Sequence, residues 1–168
     1  ASNGFQRATE MLFARRLSPL VMYDNGSASV VRSDLASPAG INADTQYLYV
    51  AETGGKRITV LALNDLSGSP HMSIELPSSP DNIDIAEDGS LWVAAHANIL
   101  ALIRHFGDAE SPAPSQVFRI DNETFEPTQR FLDLGENLSA GSVGATYANW
   151  LLLGSITESH VLLCALTN

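Results

Sequence analysis

The sequence predicts an all-β fold that amounts to about three blades, one half of a six-bladed β-propeller. The prediction rests on an internal repeat, in which a turn and a short extended segment lead through a polar tip into an apolar strand. The first two copies begin at Ser-Pro pairs 42 residues apart. Periods of about 40 to 45 residues with four strands each are typical of propeller blades. The copies are Ser37–Ala51, Ser79–Ala94 and a weaker third, Ser142–Gly154.

Local sequence features predict each turn, strand and helix. The tips of the repeat carry Asp, Gly and Asn, which suit the backbone of hairpin turns. Short apolar runs bounded by turns favour outer strands over helix. These runs are Arg57–Leu63, Ile99–Ile103, Gln116–Ile120 and Val161–Leu166. One helix is predicted near the N-terminus, over Gln6–Leu17, with Ser18-Pro19 ending it.

The domain organisation follows from the blade count. We expect residues 1–168 to be the C-terminal half of a single propeller domain, with helix and loop over 1–19 at the propeller top and blades over 20–168. Closed propellers contain about four to eight blades, and an open set leaves raw sheet edges. The chain is therefore expected to need the N-terminal half, either as a second polypeptide or through self-association.

Charge and hydropathy exclude several function classes. The net charge is −10, and only Lys56 among nine basic side chains is lysine. This charge balance disfavours nucleic acid as a partner, because phosphate binding needs clustered Lys and Arg. It disfavours an anionic membrane surface for the same reason. The longest apolar run, Val161–Leu166, is far too short for a transmembrane segment.

Three N-x-[ST] sequons favour a secreted, glycosylated protein over a cytoplasmic one in which the triplets arose by chance. They are centred on Asn25, Asn122 and Asn137. The chain starts at Ala1 without a recognisable signal peptide, so we expect a processed piece or a mature terminus. The single cysteine, Cys164, has no internal partner, which leaves an interchain disulfide or a buried inert thiol.

Several segments together resemble one family. Ser79–His96, with its Asp-Asn-Ile and Leu-Trp-Val elements, Ser37–Glu52, Ser115–Ile120, Gly141–Ser155 and Leu162–Leu166 are similar to segments of the paraoxonase/arylesterase family. That family is related to the gluconolactonase- and strictosidine-synthase-like six-bladed propellers. The resemblance covers about Met11 to Leu166 and is distributed over the chain rather than concentrated in one motif.

The resemblance implies a catalytic calcium in the central tunnel that polarises an ester or lactone carbonyl. By position, Asp81 and Asn82 match calcium ligands of the family. His96 matches a histidine that lines the pocket and is the catalytic candidate. The simpler reading is that Asp81 and Asn82 cap a turn and that His96 is an ordinary strand-end residue. Asn3 is a weaker match to a further calcium ligand.

Two points qualify the implied site. Ala39 stands where the family carries another ligating Asn, and a methyl group cannot coordinate calcium. The implied glutamate ligand and a water-activating histidine pair belong to the missing half, and Cys164 is similar to a family cysteine that ties the two halves. His71, His105 and His160 have no metal-like spacing, and no G-x-S-x-G elbow is present.

Three functions remain from the sequence. The first is a calcium-dependent lactonase or arylesterase assembled from two halves, acting on a small lactone or ester. The second is a propeller that has lost the metal and serves as a non-hydrolytic biosynthetic enzyme, a cyclase or isomerase, as Ala39 suggests. The third is a binding scaffold without chemistry. Metal content separates the first from the others, and turnover separates the second from the third.

Overall fold

The computed structural model describes residues 13–166. Within this part the chain forms thirteen strands and one helix, α1. The strands are β1 Arg16–Asp24, β2 Ser27–Ala36, β3 Pro38–Ala43, β4 Tyr47–Glu52, β5 Arg57–Ala62, β6 Met72–Glu75, β7 Ser79–Ile85, β8 Leu91–His96, β9 Ser115–Ile120, β10 Pro127–Asp133, β11 Gly141–Tyr147, β12 Trp150–Ser155 and β13 Leu162–Ala165, and α1 spans Ile99–Gly107 between β8 and β9.

The strands form four antiparallel sheets in chain order. Two are complete four-stranded blades, β3-β4-β5-β6 and β7-β8-β9-β10. They are flanked by the two-stranded hairpin β1-β2 and by the three-stranded sheet β11-β12-β13. The all-β fold and the partial propeller expected from the repeat are confirmed.

The first strand of each larger sheet contacts the first strand of the next, β3 with β7 and β7 with β11. These three are therefore the inner strands, and the later strands of each sheet lie progressively further out. The apolar core fills the space between successive sheets. One cluster joins the two complete blades around Ile58, Val93 and Phe118. A second joins the latter blade to the last sheet around Trp92, Val117 and Leu151.

The polar tips of the repeat form the predicted turns. Asn25 and Gly26 have φ of 46° and 82° at the β1–β2 tip, the two positive values that a tight hairpin turn requires. Gly89, with φ of 79°, turns β7 into β8. Asp44 closes the β3–β4 tip by accepting hydrogen bonds from the backbone N–H of Gln46 and of Tyr47, both at 2.7 Å. These tips lie at the end of the blades opposite to His96.

The prediction that Ile99–Ile103 is an outer strand is wrong, because this segment begins α1. Asn98 caps the helix by accepting hydrogen bonds from the N–H groups of Leu100 and Ala101, each at 3.1 Å. His105 then anchors the helix, with its ring nitrogens 2.7 Å from the Ser111 carbonyl oxygen and 2.7 Å from the Thr157 hydroxyl. The outer strand of this blade is supplied by Pro127–Asp133 instead.

The helix predicted over Gln6–Leu17 falls mostly outside the described residues. Its last part is corrected: Phe13 and Ala14 form a turn, and β1 already begins at Arg16. Alternating exposure of Leu17, Ser18 and Pro19 fits a strand lying at the surface rather than a helix end. Within the described residues no helix is long and apolar enough to cross a bilayer.

Candidate functional site

The inner strands share an irregularity at one end. In β7 the register shifts between Pro80 and Ile83, so that two residues, Asp81 and Asn82, face a single residue of β8. Strands β3 and β11 carry the same one-residue shift at the matching level. Adjacent side chains of a regular strand point to opposite faces, and a bulge re-aims one of them. The bulge therefore allows the neighbouring Asp81 and Asn82 to serve one site.

Asp81 contacts His96 directly. The Nε2 atom of His96 lies 3.1 Å from Oδ2 of Asp81. The histidine is buried, with only 3% of its surface exposed, and within the described residues its Nδ1 atom has no hydrogen-bond partner. An unpaired buried ring nitrogen is costly in a purely structural residue. His96 therefore has one ring nitrogen next to the Asp81 carboxylate and one without a partner among residues 13–166.

Asn82 is held from the side of the next inner strand. Its Nδ2 donates a hydrogen bond of 2.9 Å to the backbone carbonyl oxygen of Ser142 in β11. Because the amide nitrogen is engaged there, the side-chain carbonyl oxygen is the atom that Asn82 can offer to a ligand. On the opposite side β3 packs so closely that a Cβ at Gly40 would lie 2.1 Å from the carbonyl oxygen of Asp81.

Thr53 contacts the same bulge from the preceding blade. It follows directly after β4, and its Oγ1 donates a buried hydrogen bond of 2.7 Å to the carbonyl oxygen of Pro80. In the repeat Thr53 occupies the place that His96 occupies one blade later, because each follows the residue paired with the Pro of its inner strand. The bulge is thereby contacted from β4, β8 and β11.

The side-chain oxygens of Asp81 and Asn82 would suit part of the coordination shell of a calcium ion. Asp81 offers a carboxylate and Asn82 an amide carbonyl, the hard oxygen ligands that calcium prefers, but calcium takes about six to eight of them. Residues 13–166 contain no group of three or more His, Cys, Asp or Glu side chains that could hold a metal. The remaining ligands of a complete site would have to come from elsewhere.

The neighbouring bulges offer little more. Ala39 occupies in β3 the position of Asp81 in β7, and it is exposed. The side chain that cannot coordinate calcium therefore lies at the same end of the strands as Asp81. Ser142 occupies the matching position in β11. Asn3, the weaker ligand candidate, lies outside the described residues. The structure thus brings Asp81, Asn82 and His96 together, and it places Ala39 beside them.

The three sequon asparagines are all exposed but differ in their contacts. Asn25 lies at the β1–β2 tip. Asn122 donates from Nδ2 to the Asp88 carbonyl oxygen at 2.6 Å, and Asn137 donates from Nδ2 to Oδ1 of Asp133 at 2.7 Å. N-glycosylation replaces one of the two Nδ2 hydrogens, and at Asn122 and Asn137 the other is needed for these hydrogen bonds, so Asn25 is the least constrained of the three.

Cys164 is half-buried in β13, opposite Leu151 of β12, and packs against the second core cluster. Burial, and next the negative charge of Asp133, raises the pKa of its thiol. The raised pKa keeps the thiol protonated at neutral pH, which disfavours spontaneous reaction. Cys164 therefore combines a partly accessible sulfur with low intrinsic reactivity.

Sequence reasoning missed three residues that shape the site: Gly40, Thr53 and Ser142. The repeat contained a signal for the first two. Aligning the Ser-Pro pairs places Gly40 opposite Asn82 in the pattern, and aligning the strand ends places Thr53 opposite His96. The contribution of Ser142 is a backbone carbonyl, which any residue provides, so its identity carried no signal.

Comparison with protein families gives one match over nearly the whole chain, to the arylesterase family, at residues 2–166. Human serum paraoxonase/arylesterase 1 is 31% identical over 159 residues, which cover 90% of this chain and 44% of that protein. Human serum paraoxonase/lactonase 3 is 27% identical over 154 residues, which cover 88% and 43% respectively. The chain thus spans less than half the length of these curated relatives.

Solved structures with low sequence identity share the fold. A gluconolactonase from Xanthomonas campestris superimposes with a TM-score of 0.61 at 17% identity, covering 90% of this chain and 50% of that one. A streptogramin B lyase superimposes with a TM-score of 0.54 at 16% identity, covering 90% and 49%. At such identities the likeness concerns the architecture alone, because one propeller fold hosts different chemistries.

Proposed function

The chain belongs to the arylesterase family, and from that premise we propose that it supplies one wall of the active site of a calcium-dependent hydrolase of lactones or aryl esters. The observation that carries the proposal is the convergence of Asp81, Asn82 and His96 at one end of β7 and β8. A carboxylate, an amide carbonyl and a buried histidine with one unpaired nitrogen are suited to binding a hard cation and handling a proton.

Calcium, when bound, would supply positive charge where an ester or lactone carbonyl becomes negative during attack. Asp81 and Asn82 would hold it through their side-chain oxygens. The hydrogen bond of Asn82 to the Ser142 carbonyl and the contact of Asp81 with His96 orient both side chains before any ligand arrives. Hydrogen bonds from neighbouring groups commonly hold metal-binding side chains in place.

His96 has a separate part in the proposal. When Nε2 carries the hydrogen donated to Asp81, Nδ1 carries a lone pair that is buried and without a partner among the described residues. That nitrogen can accept a proton from water or from substrate.

The rest of the site is proposed to come from an N-terminal half of the propeller. Six four-stranded blades contain about 24 strands, and the described part of this chain contributes thirteen. The complementary part, as a second polypeptide or a preceding segment, would complete the β1-β2 and β11-β13 sheets and add the missing calcium ligands. In this proposal Cys164, in the last strand, joins the two parts by a disulfide.

We also propose that the protein is secreted. The names of the human relatives place them in serum, and all three sequon asparagines of this chain are exposed. Asn25, at an exposed hairpin tip, is the preferred glycosylation site.

The proposal predicts that Asp81→Ala in the assembled protein abolishes calcium-dependent hydrolysis of a phenyl ester and of a five-membered lactone, with a loss of at least about 100-fold. The matched control is Asp84→Ala, a carboxylate removed from the opposite end of the same strand, which should retain activity. The measurement is the hydrolysis rate with added calcium and after a chelator. Equal activity of wild type and Asp81→Ala would refute the assignment.

A further inference from the structure

We propose that Thr53 is a positioning residue for the Asp81-Asn82 pair, acting through the carbonyl group of Pro80. The inference rests on the proposed function, since it concerns the same pair of side chains. It adds a residue from a different blade, one for which neither the repeat nor the proposed ligand set assigned a role. Thr53 does not touch the bound group in this proposal.

The hydrogen bond fixes the peptide group that leads into Asp81. Thr53 Oγ1 donates to the Pro80 carbonyl oxygen at 2.7 Å, and both residues are buried. The peptide bond between Pro80 and Asp81 is planar, so holding its oxygen also holds the nitrogen and the Cα of Asp81. The direction in which the Asp81 side chain leaves the backbone depends on that plane.

Thr53 is itself held firmly. Its backbone N–H donates to the Ser37 carbonyl oxygen at 3.1 Å, and the following Gly54 N–H donates to the Ala36 carbonyl oxygen at 3.2 Å. These bonds tie the residue to the chain between β2 and β3. The hydroxyl group therefore transmits the position of one blade to the inner strand of the next.

The bulge needs such support more than a regular strand does. Proline lacks a backbone N–H, so Pro80 cannot donate to the sheet. The register shift after Pro80 also takes Asp81 and Asn82 out of the regular pairing with β8. Gly40 presents no side chain to this segment, and the preceding blade holds the backbone on both sides of the bulge by side-chain hydrogen bonds. Asn42 Nδ2 donates to the Ile83 carbonyl oxygen after the bulge at 3.0 Å, and Thr53 donates to the Pro80 carbonyl oxygen on the side that leads into Asp81.

The test uses Thr53→Val, which keeps the shape and removes the hydroxyl, and Thr53→Ser, which keeps the hydroxyl. Tyr49→Phe is the control, because Tyr49 is also buried and its hydroxyl donates to Asp44 at the β3–β4 tip, at the opposite end of the blade. Two quantities are measured on the assembled protein: hydrogen exchange of the 79–85 segment without metal, and the calcium affinity by direct titration.

We expect Thr53→Val to exchange faster in the 79–85 segment and to bind calcium about five- to tenfold more weakly, as the loss of one buried hydrogen bond implies. Thr53→Ser should stay within about twofold of wild type in affinity. Tyr49→Phe should lower thermal stability while leaving both site measurements unchanged.

The outcomes distinguish a failure of the proposed function from a failure of the positioning role of Thr53. If wild-type protein binds no calcium, the proposed function is wrong in its metal, and the exchange comparison alone decides the role of Thr53. Unchanged exchange in Thr53→Val, or faster exchange with unchanged calcium affinity in a protein that binds calcium, would overturn the positioning role. Equal losses in the Val and Ser variants would also overturn it, because the hydroxyl would then not be the cause.

Discussion

At the scale of single residues, the absence of a side chain at Gly40 allows β3 and β7 to pack closely beside the site. A Cβ at this position would lie 2.1 Å from the Asp81 carbonyl oxygen and 2.8 Å from the Asn82 Cα. Both neighbours are backbone atoms of β7 and cannot rotate away. Strands β3 and β7 can therefore approach at the level of the site only because residue 40 is glycine.

Gly40→Ala should accordingly force the two inner strands apart and lower the free energy of unfolding by about 1–3 kcal/mol. Urea unfolding of the assembled protein measures this change. Gly107→Ala is the control, because nothing lies within 4 Å of the Cβ it would add. If Gly40→Ala is as stable as Gly107→Ala, the close packing of β3 on β7 is not a constraint.

The sequence indicated part of the site at this scale. The family resemblance drew attention to Asp81, Asn82 and His96, and the structure brings all three to one end of adjacent strands. The sequence could not give the 3.1 Å contact between Asp81 and His96, because it depends on a bulge that shifts the register by one residue. Bulges of this kind leave no composition signal beyond the preceding proline.

At the scale of secondary-structure elements, the segment after β8 shows where the periodicity argument failed. Five apolar residues in succession suit a buried strand and a helix equally. Asn98 decided the outcome, because its side chain satisfies the first free N–H groups of α1. Leu102 and His105, three residues apart, then form the buried face. Reading Asn98 as a helix N-cap would have corrected the prediction.

The loop after β10 is organised by one carboxylate. Asp133 accepts hydrogen bonds from the backbone N–H groups of Gly135, Asn137 and Leu138 at 2.9, 3.1 and 3.2 Å, and also from the Asn137 amide. Burial opposes ionisation of the side chain, but these donors outweigh it and hold its pKa below the usual value. The loop is therefore most stable when Asp133 is charged.

The pH dependence of stability follows from that lowered pKa. A carboxyl whose pKa is lower in the folded protein than in the unfolded chain adds stability above the unfolded value, about 3.9, and loses it as the pH falls through the folded value. Asp133→Asn should lower the free energy of unfolding by about 1–3 kcal/mol at pH 7. The difference from wild type should shrink as the pH falls below about 4.

Chemical unfolding of both proteins between pH 7 and pH 3 measures this difference. Asp24→Asn, a change at the exposed end of β1, is the control and should follow the wild-type curve. A gap between wild type and Asp133→Asn that stays constant with pH would show that the side chain's charge does not support the loop.

At the scale of the whole molecule, the two ends of the described chain are unfinished. The hairpin β1-β2 has two strands and the sheet β11-β12-β13 has three, whereas the blades between them have four. Large apolar side chains are exposed at both ends, among them Tyr23 and Val30 in the first and Tyr147 and Leu163 in the last. Exposed apolar surface next to open strand edges promotes association.

The purified chain should therefore be paired or aggregated when it is produced by itself. Native mass spectrometry, with and without a chelator and a reductant, distinguishes the states. A particle of about twice the mass of 18.0 kDa that loses calcium to the chelator would support the assembled hydrolase. A stable, folded monomer would contradict the expectation that the chain needs a complementary half.

The whole-molecule prediction from sequence succeeded because the repeat is a property of many residues at once. The blade period does not depend on any single strand, so the partial propeller was predicted even though Ile99–Ile103 was assigned wrongly. The N-terminal boundary was less predictable, since Arg16 and Leu17 carry no signal that separates a helix end from the start of β1. A few residues that suit both helix and strand leave the boundary of one element unpredicted, whereas a repeat over many residues predicts the architecture.

The matching bulges in β3, β7 and β11 have a consequence for how chemistry can change on this scaffold. Positions 39, 81 and 142 each directly follow the last residue that is paired before the register shift, so they lie where the strand ladder is interrupted. These residues have no cross-strand partner in the register, so their side chains can change without altering a paired position, and the ligand set can vary while the fold is kept. Alanine, aspartate and serine stand at these three positions, and only the aspartate offers a carboxylate to a cation.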